Sequence, residues 1–246
     1  MAPARVLVLE DDPAIQRFIA LTLMGQDLEL LPCNTLASAR TVLTAAPVQL
    51  LLMDLTLPDG SGLELLHWLR EPRAAGALAA KVVVFSGGVD TLASQQPHAL
   101  GVWRVLHKPS SVPALLGCVQ EALEATPPAG GTDEGLDSLD VAGDPAVEFF
   151  AGNRALYAAY RTACVARFAQ DVEQADEALR TGDVQSLRRV VHNLKSVLRM
   201  LGHGALSARA AAIEEAACHG SPAAQQQWPL LRAALRQLAA RVLHGA

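Results

Sequence analysis

The chain has 246 residues, 51% of them apolar and 18% charged, with 20 Lys/Arg against 25 Asp/Glu and a formal net charge of −5. That length suits one large domain or two ordinary ones, each with its own core, and no apolar run approaches the roughly 18 residues of a membrane span. Charge is uneven, with eight basic and twelve acidic residues in 1–125, none and four in 126–143, and twelve and nine in 144–246; the last excess is small and has no basic run, so neither nucleic acid nor membrane is expected as a partner.

The first apolar stretch, Val6 to Leu9, runs straight into Glu10-Asp11-Asp12. That does not suit a signal peptide, and a cytoplasmic location is expected. Short apolar runs then alternate with helical segments. The candidate strands are Arg5 to Leu9, Leu28 to Leu31, Leu50 to Met53, Lys81 to Phe85 and Trp103 to Leu106. Between them the pattern predicts helices near Pro13 to Met24, Leu36 to Ala45, Gly62 to Arg70 and Thr91 to His98, with a fifth after Ser111. Five such βα units predict a doubly wound, five-stranded parallel sheet. Pro127-Pro128 and the Gly/acid-rich stretch after them have the composition of a solvated linker. The expected divisions are a first domain over 1–125, a linker over 126–143 and a second domain over 144–246.

Beyond Gly143 no strand signal remains. Leu187, Val190, Val191, Leu194, Leu198 and Leu201 follow a 3.6-residue stripe, as do Leu231, Leu235, Leu238 and Val242. Thr181-Gly182-Asp183, Gly202-His203-Gly204 and Gly220-Ser221-Pro222 punctuate the helices. An antiparallel four-helix bundle with a short leading helix is expected. The four cysteines lie far apart with no C-x-x-C pair, so buried reduced thiols are expected rather than zinc ligands or a redox motif.

The chemistry of the first domain centres on Asp54. Leu50-Leu51-Leu52-Met53 is a buried strand delivering one carboxylate to its carboxyl end, where open α/β sheets place their ligand crevice. Glu10 and Asp11 follow the first strand, Ser86 ends the fourth and Lys108-Pro109 follows the fifth, so these groups converge. Three converging carboxylates repel one another, and oxygen-only ligation of a hard divalent cation relieves the repulsion. A cation and a lysine together neutralise a transferring phosphoryl group. The constellation resembles the flavodoxin-like receiver domain of two-component response regulators over residues 4 to 125. That resemblance implies that Asp54 is the phosphoacceptor and that Glu10, Asp11, Asp54 and the main-chain carbonyl of Thr56 bind Mg2+. It further implies that Ser86 donates its hydroxyl to the phosphoryl oxygens and that Lys108 pairs with the phosphoryl group, with a cis peptide before Pro109. Val105 stands where receivers commonly carry an aromatic switch residue.

In the second domain the stripe leaves Arg188, Arg189, His192, Lys195, Ser196 and Arg199 on the other side of its helix, so His192 is expected to face water. Neutral imidazole is a nucleophile toward phosphorus near pH 7, and Lys195 and Arg199 are placed to hold phosphoryl oxygens. His192-Asn193-Leu194-Lys195-Ser196, followed by Leu201-Gly202, resembles the histidine phosphotransfer (HPt) domain and its H-x-L-K-G signature, with Ser196 in place of the glycine. Ser196 and Arg199 are expected to add bulk on the His192 face. His203 and His219 read as cap or surface residues.

Together these features predict a phosphorelay protein that takes a phosphoryl group from a histidine kinase or other phosphohistidine donor at Asp54. It would exchange one at His192 with a receiver domain of this or another response regulator. No G-x-x-x-x-G-K-[ST] loop is present, so an ATP-using kinase activity is not expected. The rival reading is a phosphorylation-regulated interaction module whose bundle binds partners without transfer. An aspartate-nucleophile hydrolase fits poorly, because Asp54-Leu55-Thr56 supplies no second acid, and a dinucleotide enzyme lacks its G-x-G-x-x-G.

Overall fold

A computed structural model of the chain describes residues 3–71, 80–86, 100–124 and 143–243. The chain divides into two compact units, Met1–Ser138 and Leu139–Ala246. The expected helix at Thr91 to His98 and the expected linker as far as residue 142 lie outside the described residues.

The first unit runs β1 (Ala4–Leu9), α1 (Pro13–Thr22), β2 (Leu28–Cys33), α2 (Leu36–Ala45), β3 (Leu50–Met53), β4 (Thr56–Leu57), β5 (Gly60–Ser61), α3 (Gly62–Trp68), β6 (Lys81–Ser86), β7 (Val102–His107) and α4 (Val112–Leu123). The sheet has strand order β2-β1-β3-β6-β7, and every pairing in it is parallel. Strands β4 and β5 form a separate antiparallel ribbon. Leu7, Leu9, Leu51, Met53, Val82 and Val84 share one cluster with Leu36, Leu43, Leu65 and Leu66 of α2 and α3. The alternate residues Val6, Val8, Leu50, Leu52 and Val83 are buried as well. Both sheet faces are therefore covered, which is why β1 and β3 read as unbroken apolar runs rather than alternating ones.

Local chemistry sets the helix ends. Asp12 caps α1 by accepting the Ala14 N–H at 2.7 Å, and Pro13 occupies the first turn, where a missing N–H costs nothing. Helix α1 stops at Thr22, two residues before the expected Met24, and Gly25 (φ 89°) makes the left-handed turn into β2. Thr35 and Ser38 form a reciprocal capping box at the start of α2.

The second unit consists of α5 (Pro145–Glu148), α6 (Arg154–Thr181), α7 (Val184–Met200), α8 (Gly204–Cys218) and α9 (Ala223–Leu243). Each of the four long helices packs on the next in the chain, and α9 packs back on α6. The expected breaks are present: Gly182 (φ 73°) ends α6, and Asp183 caps α7 through the Ser186 N–H at 3.0 Å. Trp228 is buried, and its Nε1 donates to Asp176 Oδ1 at 2.6 Å, tying α9 to α6. Among the described residues no helix is long and apolar enough to cross a membrane.

Candidate functional site

Strand pairing brings the acids of the first unit together. Asp54 N donates to Leu9 O at 2.8 Å and Glu10 N to Cys33 O at 2.9 Å, which sets the carboxyl ends of β3, β1 and β2 side by side. One carboxylate oxygen from each of Glu10, Asp11 and Asp54 lies within 4.8 Å of the others. Glu10 and Asp54 are each only 1% exposed. Lys108, in the turn after β7, reaches between them, and its Nζ donates to Glu10 Oε2 at 2.5 Å and to Asp54 Oδ2 at 2.7 Å. Asp54 Oδ1 accepts the N–H groups of Leu55 at 2.5 Å and Thr56 at 3.2 Å. The Lys108–Pro109 peptide is cis.

Burial pushes the Glu10 carboxyl well above its ordinary range, with Lys108 opposing and Asp54 and Asp12 adding to the rise. For Lys108, burial alone would lower the ammonium pKa, but Asp54 and Glu10 outweigh it and the net shift is upward. Three carboxylates facing one ammonium leave an excess of negative charge among oxygen donors, which suits a hard divalent cation. A Cβ at Gly62, the first residue of α3, would lie 2.5 Å from the Asp54 carbonyl oxygen, so this position requires glycine. Thr56 is exposed in β4. Ser86 closes β6 opposite His107 in register, while its hydroxyl lies outside the described atoms. Val105 is half-buried in β7 and pairs with Val84.

The second site differs from the expectation. His192 does not face water: it is 8% exposed, and Ser196 is 3% exposed. The stripe on α7 accounts for only part of its buried surface, because α7 packs against both α6 and α8. Helix α8 is rich in alanine and approaches the polar side of α7 closely, with Ser207 Oγ donating to Lys195 O at 2.8 Å. Ser196 therefore adds no bulk to an exposed face. Arg199 is partly exposed and lies 3.8 Å from Glu148 of α5.

Glu214 of α8 organises this site. Its Oε1 lies 2.6 Å from His192 Nδ1, and its Oε2 accepts from Lys195 Nζ at 2.7 Å. Burial opposes its charge, yet the bonds to His192 and Lys195 hold the carboxyl down to about 2 from an ordinary 4.5. A carboxylate at Nδ1 favours the tautomer with its proton there and its lone pair on Nε2, the form that can attack phosphorus. Nε2 is buried and has no hydrogen-bond partner among the described residues. Sequence reasoning missed Glu214 because α8 has no clear apolar stripe to orient it. The one available signal was an acid pair, Glu214-Glu215, in an otherwise alanine-rich helix.

His203 stands at the N-cap position of α8 without a side-chain capping bond, and His219 is exposed just after its end. Cys33, Cys118 and Cys164 are buried and reduced, but Cys218 is exposed, since it ends α8 on the solvent side.

Residues 6–120 match the family model of the response regulator receiver domain, and residues 159–242 match that of the Hpt domain. Among curated proteins, the response regulator protein PilR of Pseudomonas aeruginosa is 29% identical over 128 residues, 52% of this chain and 28% of PilR. The transcriptional regulatory protein KdpE of Mycobacterium tuberculosis is 28% identical over 135 residues, 55% of this chain and 58% of KdpE. The chain thus spans less than two thirds of the length of these relatives. Among solved structures, the chemotaxis response regulator CheY4 of Vibrio cholerae aligns with a TM-score of 0.45 and 21% identity, covering 49% of this chain and 99% of CheY4.

Proposed function

We propose that this chain, whose residues 6–120 match the response regulator receiver domain and residues 159–242 the Hpt domain, passes phosphoryl groups through Asp54 and His192 in two-component phosphorelay signalling. The boundaries we assign are 1–125 for the receiver, 126–143 for the linker and 144–246 for the HPt domain, working in the cytoplasm. The observation that carries the reading is Asp54, buried at the end of β3 with Lys108 Nζ 2.7 Å from its Oδ2 and with Glu10 and Asp11 beside it.

In the first step a carboxylate oxygen of Asp54 attacks the phosphorus of a phosphohistidine donor. A P–O bond forms as the P–N bond breaks, and the departing imidazole takes up a proton. Glu10, Asp11, Asp54 and the main-chain carbonyl of Thr56 would hold Mg2+, which would supply positive charge to the transferring group. Lys108 adds a second cation already directed at Asp54 Oδ2, and Ser86 is assigned a hydroxyl donor's role. Backbone N–H groups of Leu55 and Thr56 fix the orientation of the Asp54 carboxylate.

In the second step His192 Nε2 attacks the phosphorus of an aspartyl phosphate. The acyl P–O bond breaks, the carboxylate of the donor receiver departs, and Glu214 holds the proton on Nδ1. Lys195 is assigned to the phosphoryl oxygens and Glu214 keeps it beside the imidazole. Partners are accordingly a histidine kinase or other phosphohistidine donor and the receiver domains of response regulators.

One observation favours a second reading. Nε2 of His192 is buried, as expected of a bundle that binds partners under the control of Asp54 without accepting phosphate. Incubation with a phosphorylated donor and Mg2+ tests the first station. Wild type acquires an alkali-labile aspartyl phosphate, whereas label of that kind on Asp54→Asn would overturn the assignment.

A further inference from the structure

We infer that Asp59 is a positioning residue for the Mg2+ site, holding the segment that carries Thr56 by locking it to the start of α2. This rests on the reading of Glu10, Asp11, Asp54 and Thr56 as that site.

Asp59 lies with Pro58 in the turn joining β4 to β5. Its Oδ1 accepts the N–H of Leu36 at 2.9 Å and its Oδ2 that of Ala37 at 3.0 Å. These are the first two N–H groups of α2, which have no partner within the helix, and the positive end of the helix dipole favours a carboxylate there. The helix does not depend on Asp59 for its start, since Thr35 and Ser38 already cap it reciprocally. What Asp59 adds is a connection across more than twenty residues of sequence.

The ribbon is held at both ends. At its foot, Thr56 N donates to Asp54 Oδ1, and Gly62 N donates to Leu55 O at 2.8 Å. At its tip, a Cβ on Gly60 (φ 149°) would lie 2.8 Å from Leu36 Cδ1, so the ribbon rests directly on the first residue of α2. The end of β2, just before α2, also holds the segment that carries Glu10, because Cys33 O accepts Glu10 N at 2.9 Å, and it accepts Gln16 Nε2 of α1 at 3.2 Å. With its tip fixed, the Thr56 carbonyl is ordered before a cation arrives. Without Asp59, ordering the ribbon becomes part of the cost of binding, and loss of such supporting contacts weakens metal sites by about tenfold or more.

The test uses the full chain and Mn2+, read by electron paramagnetic resonance, as a stand-in for Mg2+. Asp59→Ala is expected to bind Mn2+ about tenfold more weakly than wild type, and Asp59→Asn, which keeps one acceptor oxygen, to fall between them. Ser38→Ala breaks the capping box and is expected to lower the melting temperature in EDTA while leaving Mn2+ affinity unchanged. Wild-type affinity in Asp59→Ala, or an equal loss in Ser38→Ala, would overturn the inference. If wild type and Asp11→Asn bind Mn2+ equally, the metal-site reading itself fails and the inference with it.

Discussion

Replacing Glu214 with glutamine keeps the shape of the side chain and one acceptor oxygen but removes its charge. In the wild-type protein the carboxylate reaches His192 Nδ1 at 2.6 Å and Lys195 Nζ at 2.7 Å. A hydrogen bond to a charged acceptor contributes about 1.5–3 kcal/mol and a neutral one about 0.5–1.5 kcal/mol. The substitution therefore removes about 1–1.5 kcal/mol of preference for the Nδ1–H tautomer, roughly a tenfold change in the tautomer ratio. Only the form with its lone pair on Nε2 attacks phosphorus, so the rate of His192 phosphorylation is expected to fall by up to about tenfold. Nitrogen-15 spectra of histidine-labelled protein report the tautomer, and transfer from a phosphorylated receiver reports the rate. An unchanged tautomer together with an unchanged rate in Glu214→Gln would refute the reasoning.

Glu214 also makes the helical unit acid-sensitive. Its folded-state carboxyl lies near 2, below its ordinary 4.5, so its stabilisation is complete above about pH 4.5 and is lost as the pH falls toward 2. After discounting for solvent screening this is about 1–2 kcal/mol, and melting temperatures across that window should fall less steeply in Glu214→Gln than in wild type. Lys108→Met leaves Glu10 and Asp54 buried without their cation and should cost about 3–5 kcal/mol in urea denaturation, part of it recovered when Asp54→Asn is added. Gly62→Ala places a methyl 2.5 Å from the Asp54 carbonyl oxygen and should cost about 1–3 kcal/mol. Gly117→Ala, in α4 with open space around it, should instead stabilise by about 0.5–1 kcal/mol in the same assay.

The receiver half was legible because its signals are local. A strand covered on both faces must be apolar throughout, which identified Leu50 to Met53, and a reciprocal cap at Thr35 and Ser38 starts α2 where the periodicity does. Strands β2 and β6 run past the expected ends, to Cys33 and Ser86, because parallel pairing with β1 and β7 continues where the apolar run stops. The convergence of Glu10, Asp11, Asp54 and Lys108 followed from strand ends alone, since parallel strands bring their carboxyl ends to one edge. The helical half was less legible. A stripe on α7 says which side is surely buried but not how much else a second neighbour covers, so His192 and Ser196 were expected at the surface. Glu214 stands 22 positions from His192, on a helix whose alanines mark no face, and Asp59 reaches α2 through a contact that no local pattern encodes.

The claim that the chain holds two phosphoryl stations is tested most directly on Asp54→Asn, in which the first station is blocked. Supplied with a separately phosphorylated receiver, this variant is expected to gain a label that is acid-labile and base-stable, maps to α7 and is absent when His192→Gln is added. No such label from any receiver tried, on a chain that keeps its fold, would contradict the claim and leave the bundle as a binding module governed by Asp54.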